Sequence, residues 1–393
     1  MTPEARLQAA IDILDTWRTG GQSVDRVLTA WGRRNRYAGS GDRRAISDLV
    51  HDGLRRMRSA AWRGGGDAES TGRQIMIGLA LLSDQDPQHL FSGARHAPAP
   101  LTDEERGALR DLTAAPPGVR FDYPDWLAPD FEHYDQDVLT LLRSRAPLDL
   151  RVNTLRADPA RATAALAADG VTTAPIDGHP LALRVLDGQR KVQQTEAFQD
   201  GLVEVQDAAS QAIATIAAPQ PGETVLDLCA GAGGKTLAMA AAMQNRGRLI
   251  AYDIAPARIA PLVERANRAK AKVEVIGQQD LPTLHNTCDL VLIDAPCSGS
   301  GTWRRNPDAK WRLTPARLED LLEAQATLLR DAIRYLKPNG RLAYATCSML
   351  SAENEDQVQT FLDRSPGWRL QQAQRFDPGA PGDAMYAAIL TRV

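Results

Sequence analysis

Cysteine is scarce in this chain, with four residues among 393: Cys229, Cys288, Cys297 and Cys347. None forms a C-x-x-C pair and the six histidines are scattered, so no metal site is expected. A disulfide framework is not expected either, since that device belongs to short, cysteine-rich secreted chains. Long apolar runs are also missing, and none approaches the roughly 18 residues a membrane-crossing helix needs. The opening Met1-Thr-Pro-Glu-Ala-Arg6 has no basic stretch leading into an apolar one, so a cytoplasmic location is expected. Nor is there an excess of positive charge. The net charge is −3 and the pI near 6.1, so no global field advertises a polyanionic partner.

What positive charge there is comes almost entirely from arginine, and it clusters. Residues 1–63 carry twelve arginines against seven acids, a local balance of +5. Arg33, Arg34, Arg36, Arg43, Arg44, Arg55, Arg56 and Arg58 make up most of it. Such a cluster suits either RNA contact or a solvated helical face, and composition does not choose between them. With 43% hydrophobic residues the chain can bury large cores in two or three domains.

Three textures follow one another. Residues 1–143 read as helices: Leu7, Ala10, Ile11 and Leu14 form one apolar stripe, and Ile46, Leu49, Val50 and Leu54 another. Gly64-Gly-Gly66 and several prolines punctuate this part. Residues 144–200 read as a small α/β unit, with strands near 148–155, 171–176 and 181–186 and a helix over 159–169. A simple extension of the following sheet is the competing reading of that unit. Residues 201–393 alternate strands (202–205, 224–228, 248–252, 273–276, 289–293, 341–346, 384–390) with helices between most of them. Alternating βα units ending in an antiparallel pair predict a doubly wound α/β sheet rather than a barrel.

The strand Thr224-Val-Leu-Asp-Leu228 runs into Cys229-Ala-Gly-Ala-Gly-Gly-Lys-Thr236 and then an Ala-rich helix. Glycines there let backbone N–H groups approach a nucleotide-like ligand. The next strand ends in Asp253, about 20 residues on, where an acid suits ribose hydroxyls. Gly-Gly-Lys-Thr also echoes the end of a phosphate-binding loop, but Cys229 stands where that pattern requires its first glycine. Two further strands run into Asp294-Ala-Pro-Cys297 and Thr346-Cys347-Ser. Cysteines at such carboxyl ends face the crevice where open α/β sheets bind ligands. A buried cysteine closing a core strand is the plain alternative.

Taken in order, Val205-Gln-Asp-Ala-Ala-Ser-Gln211, Cys229 to Thr236, Asp294 to Gly301, Arg305-Asn-Pro-Asp-Ala-Lys-Trp311, and Thr346-Cys-Ser348 with Glu353-Asn-Glu355 are highly specific. From about residue 145 onward the chain resembles the Sun-type RNA cytosine-5 methyltransferases, most nearly the branch acting on bacterial 16S ribosomal RNA. One departure is Ala232, at a position usually proline in that family. The resemblance implies a Rossmann-like, S-adenosyl-L-methionine-dependent methyltransferase domain over 201–393 and a small α/β RNA-binding subdomain over 144–200. More loosely, it implies a NusB-like helical domain over 1–143.

By the same resemblance Cys347 is the nucleophile, forming a covalent adduct at cytosine C6, and Cys297 helps resolve it. Asp294 contacts the base edge or only the cofactor, and Lys235 supports either. Cofactor binding is expected from Cys229, Ala230, Gly231, Ala232, Gly233, Gly234, Lys235, Asp253, Arg258 and Asp294. Asp280 is expected at the adenine, with Gln278 and Gln279 as alternatives. Arg304, Arg305, Asn306, Lys310 and Trp311 offer phosphate contact and stacking on a displaced base, while Trp303 and Trp311 serve equally as packing anchors. The expected partner is an RNA, with no membrane, and the expected state a monomer. The competing functions are the same chemistry on tRNA or another RNA, and a non-catalytic RNA-binding ribosome assembly factor.

Overall fold

A computed structural model describes residues 1–67, 69–379 and 382–393. The chain divides into two compact units. One comprises Met1–Arg145 with Trp303–Arg312, the other Ala146–Thr302 with Leu313–Val393.

The first unit is helical. Its opening helix, Pro3–Gly20, starts where the Thr2 hydroxyl accepts the Ala5 N–H and stops at Gly21, whose φ of +63° ends the helix without strain. Leu7, Ala10, Ile11 and Leu14 face a core shared with Ile46, Val50 and Leu54 of helix Ser40–Arg55 and with Ile75 and Met76 of helix Gly72–Leu81. Gly64 does more than break the chain. A Cβ on it would collide with the Gln74 carbonyl, and one on Gly78 with the Ala60 carbonyl, so the two glycines let helices Met57–Arg63 and Gly72–Leu81 touch backbone to backbone.

The basic and aromatic segment at 303–312 belongs to this unit, where Trp303 and Trp311 are packing anchors, one of the two readings of the stretch, while Asn306 is exposed. Trp303 is 1% exposed and stacks on Phe131 at 5.7 Å. Arg55 donates to the Arg304 carbonyl at 2.7 Å. The Trp311 indole and the Lys310 ammonium donate to the carbonyls of Leu54 and Arg55, at 2.7 and 3.2 Å. Those carbonyls close helix Ser40–Arg55 and have no partner within it, so the segment completes the helix end. Burial pulls Lys310 down to about 8, and its ammonium lies 4.6 Å from the Trp311 ring. Of the arginine cluster, Arg55 is buried and Arg58 is paired with Asp125, whereas Arg33, Arg34, Arg36, Arg43 and Arg44 are exposed.

The second unit holds two sheets. Strands β1 (Asp149–Val152), β2 (Thr172–Ile176), β3 (His179–Asp187) and β4 (Val203–Val205) form an antiparallel sheet in the order β2-β3-β1-β4. Helix Pro159–Ala168 contributes Ala162 and Leu166 to the same core as Leu150, Val152, Leu183 and Val203. The sequence assigns 202–205 to the following sheet. In the structure it pairs with β1 instead, with Leu150 opposite Val205.

Strands β5 (Thr224–Asp227), β6 (Arg248–Ala251), β7 (Glu274–Val275), β8 (Cys288–Asp294), β9 (Leu336–Thr346), β10 (Trp368–Phe376) and β11 (Met385–Arg392) form the large sheet. Its order is β10-β11-β9-β8-β5-β6-β7, parallel from β9 to β7 and antiparallel at β11 and β10. The order reverses beside β5, so the carboxyl ends of β5, β8 and β9 flank a crevice. The central strands read as near-continuous apolar runs because helices cover both faces. β10 is absent from the sequence reading. Most of its residues are exposed, so no apolar alternation marks it.

Candidate active site

Strand β5 ends in Asp227, and the chain turns through Cys229–Gly233 into helix Gly234–Ala242. Gly231 and Gly233 take φ of +50° and +85°, a region other residues adopt only with strain. A side chain on Gly233 would also collide with Leu262, so this glycine lets the loop lie on helix Pro256–Ala269. Beside Gly231 the space is open, and a Cβ there would meet only Arg258 at 3.5 Å and Asp253 at 4.0 Å. Asp253 follows β6. Its carboxylate accepts the Gly231 N–H at 3.0 Å and the Ala255 N–H at 2.9 Å, with the Arg258 guanidinium 3.8 Å away. Loop, Asp253 and Arg258 therefore form one cradle. Ala230 donates its N–H to the Tyr252 carbonyl, and the Ala232 carbonyl accepts from Arg265.

Asp280 stands further out. It caps the turn after β7, accepting the Gly277 N–H at 3.0 Å and the Gln279 amide at 3.1 Å. Gln278 and Gln279 beside it are exposed.

β8 and β9 are adjacent and parallel, with Asp294 opposite Ala345. Their extensions bring the Cys297 and Cys347 sulfurs to 3.4 Å, although fifty positions separate them in sequence. The Lys235 ammonium lies 2.7 Å from the Asp294 carboxylate. Burial works against the Lys235 charge, but the Asp294 carboxylate outweighs it and lifts the lysine above its ordinary value, so it stays an ammonium. The Cys297 thiol, hydrogen-bonded to Cys347, pulls the Cys347 thiol below its usual range, against burial and Asp294 and with help from Lys235. Cys297 is driven the opposite way by the same contact, by burial and by the neighbouring charge. The pair thus favours a Cys347 thiolate accepting from a Cys297 thiol.

Asp227, behind the loop, is fully enclosed, and burial lifts it to about 7; Thr236 donates to it at 2.6 Å. Burial also lifts the Cys229 thiol far above its ordinary value, which suits a packing residue and not a nucleophile.

A buried polar cluster behind the cysteines went unread in the sequence apart from its motif. Glu353 accepts the Ser298 N–H at 2.8 Å, the Gln325 amide at 3.0 Å and the hydroxyls of Ser298 and Ser348. The sequence offered only Glu353-Asn-Glu355 as a matching motif, without a partner. A separate cavity of about 370 Å3, lined by Arg151, His179, Gln211, Thr215 and Phe376 among others, includes none of the cysteines.

The 16S rRNA methyltransferase RsmB/F family matches residues 214–385. A Synechocystis protein named Probable ribosomal RNA small subunit methyltransferase B is 34% identical over 299 residues, 73% of this chain and 67% of that one. The Cronobacter sakazakii ribosomal RNA small subunit methyltransferase B is 36% identical over 260 residues, 64% of this chain and 60% of its own. A solved methyltransferase homologue from Pyrococcus horikoshii superposes with a TM-score of 0.62 at 24% identity, covering 70% of this chain and 97% of its own, which fits a Rossmann-like methyltransferase fold. Among the described residues no helix is long and apolar enough to cross a membrane, and no group of three or more potential ligands could hold a metal ion. This chain belongs to the RsmB/F family of methyltransferases.

Proposed function

We propose that this protein is an S-adenosyl-L-methionine-dependent RNA cytosine-5 methyltransferase acting on 16S ribosomal RNA. The observation that carries the reading is the 3.4 Å pair of sulfurs at the ends of two adjacent parallel strands, beside the Lys235–Asp294 ion pair. Family membership supports the substrate.

The residues present fit the cofactor. The open face at Gly231, the carboxylate of Asp253 and the Arg258 guanidinium make a cradle that a side chain on the glycine would narrow. Gly231 to Gly234 would face the ligand, Asp253 would accept from its ribose and Asp280 from its adenine amine. When bound, the cofactor supplies an electrophilic methyl group.

C5 of cytosine is a poor nucleophile. A bond from the Cys347 sulfur to C6 shifts the ring electrons onto C5, which then forms the bond to the methyl group. Asp294, held by Lys235, would accept from the exocyclic amine and so favour cytosine over uracil. The C5 proton must then leave, and its electron pair restores the C5–C6 double bond as the C6–S bond breaks and the thiolate returns. Cys297, or a water it orients, is the group at hand for that proton.

Bisulfite mapping of total RNA from cells with and without the protein tests the reading. Loss of 5-methylcytosine at a position in 16S RNA, restored by the purified protein and S-adenosyl-L-methionine, is expected. An unchanged ribosomal map with a lost tRNA site would move the substrate, and no change anywhere would overturn the enzyme reading.

A further inference from the structure

Glu353 is fully buried, as are Ser300, Asn354 and Gln325, and Ser298 and Ser348 are nearly so. Among the described residues its hydrogen-bond partners are all neutral: one backbone N–H, one amide and two hydroxyls. A buried carboxylate without a cation is costly, and an apolar side chain of similar size would be an easier occupant. What the carboxylate provides is a meeting point. Ser298 follows Cys297 and Ser348 follows Cys347, and both hydroxyls donate to the same oxygen of Glu353. Its other oxygen takes the Ser298 backbone N–H and the Gln325 amide, which in turn donates to the Pro296 carbonyl at 2.9 Å. Ser300 adds a second tie, accepting the Met349 N–H at 2.7 Å.

We propose that Glu353 is a positioning residue that clamps the two cysteine-bearing loops together through Ser298 and Ser348 and so sets the separation of the Cys297 and Cys347 sulfurs. Its purpose in catalysis rests on the proposed function, whereas the clamp itself does not. Two strands bonded along their length fix the loops only at their roots. Beyond Asp294 and Thr346 the loops are tied by the Gly301 N–H donating to the Cys347 carbonyl at 3.0 Å and by this cluster. The carboxylate also has an electrostatic consequence, since its negative charge disfavours ionisation of both thiols. Removing the charge and removing the clamp therefore have separable effects.

The test uses the full-length protein without RNA or cofactor and reads how fast the two cysteines bridge. With diamide as oxidant, both thiols lose a proton and an electron each to the N=N bond, giving one disulfide and the hydrazine product. Peptide mass mapping then identifies the Cys297–Cys347 bridge. Wild type should bridge readily. Glu353→Ala, with an unaltered melting profile, should bridge at least about tenfold more slowly, because small misplacements of reacting atoms carry large rate penalties. Glu353→Gln keeps one acceptor oxygen, and the serine hydroxyls can turn to accept from its amide. It should bridge near the wild-type rate while the pH profile of cysteine alkylation moves to lower pH.

A folded Glu353→Ala that bridges at the wild-type rate overturns the clamp, and so does a Glu353→Gln as slow as Glu353→Ala. Should the alanine variant not fold, Ser348→Ala leaves three donors on the carboxylate and must also slow bridging; a wild-type rate there overturns the proposal equally. Bridging that depends on Glu353 in a protein with no methyl transfer would instead count against the proposed function alone.

Discussion

Lys235 opens the helix after the glycine-rich loop, and its ammonium sits 2.7 Å from the carboxylate of Asp294, three residues ahead of Cys297. One ion pair thus links the helix after the glycine-rich loop to the cysteine loop. It also places a fixed positive charge where it favours the Cys347 thiolate.

Lys235→Met should therefore make Cys347 less acidic. The variant loses the cation and leaves the Asp294 charge uncompensated, and both changes disfavour a thiolate. The pH profile of iodoacetamide modification at Cys347 should move to higher pH, with slower labelling at neutral pH. An unmoved profile, or one displaced to lower pH, would remove Lys235 from the electrostatics of Cys347.

The two cysteines should fail in opposite ways. Cys347→Ala removes the attacking sulfur, so neither adduct nor product should form. Cys297→Ala leaves attack and methyl transfer possible but impairs release, so RNA should remain attached to Cys347. On a denaturing gel a retarded protein–RNA band is expected for Cys297→Ala with S-adenosyl-L-methionine, and it should vanish in the double variant. A band in Cys347→Ala instead would reverse the roles. Full turnover by both single variants would exclude the covalent route.

Asp253→Ala should weaken S-adenosyl-L-methionine binding by about 2–4 kcal/mol, the worth of one or two charge-assisted hydrogen bonds. Part of that loss comes from the loop itself, because Asp253 also accepts the Gly231 N–H at 3.0 Å. Isothermal titration calorimetry on a folded variant measures it directly, and an unchanged affinity would take Asp253 out of the cofactor site.

In the helical unit, Asp122 is fully buried and accepts from the Ser59 backbone at 2.9 Å, the Ser59 hydroxyl at 2.6 Å and Arg143 at 2.8 Å. Asp122→Ala leaves three donors without their acceptor, one of them charged, and should cost about 3–5 kcal/mol of that unit's stability. Urea denaturation followed by tryptophan fluorescence would register the loss as a lower midpoint. Asp122→Asn, which keeps one acceptor oxygen, should lose less. An alanine variant with an unshifted midpoint would show that the network contributes nothing net.

Much of the site was legible in the primary sequence because its signals are local. A strand that runs into closely spaced glycines identifies its own turn, since only glycine takes φ near +85° without strain, as at Gly233. Asp253 was placed by its distance from that turn, and Cys297 and Cys347 by the apolar runs before them. Hydrophobic periodicity marked the helices and central strands for the same reason: each period is a property of a few consecutive residues.

What only the tertiary structure decided was partnership. Val203–Val205 reads the same whether it extends the large sheet or pairs with β1, because pairing is settled by a strand far away in sequence. β10 was hidden because an exposed edge strand carries no apolar alternation. Lys310 and Trp311 look like part of an RNA-facing surface until the carbonyls at the end of helix Ser40–Arg55 are seen to take their hydrogen bonds. Glu353 likewise gave no sign of Ser298, Ser348 and Gln325 as partners. Residue types and short spacings determine which chemistry is available and where the chain turns. Which donor meets which acceptor across fifty or two hundred residues depends on burial, and burial exists only once the chain has folded.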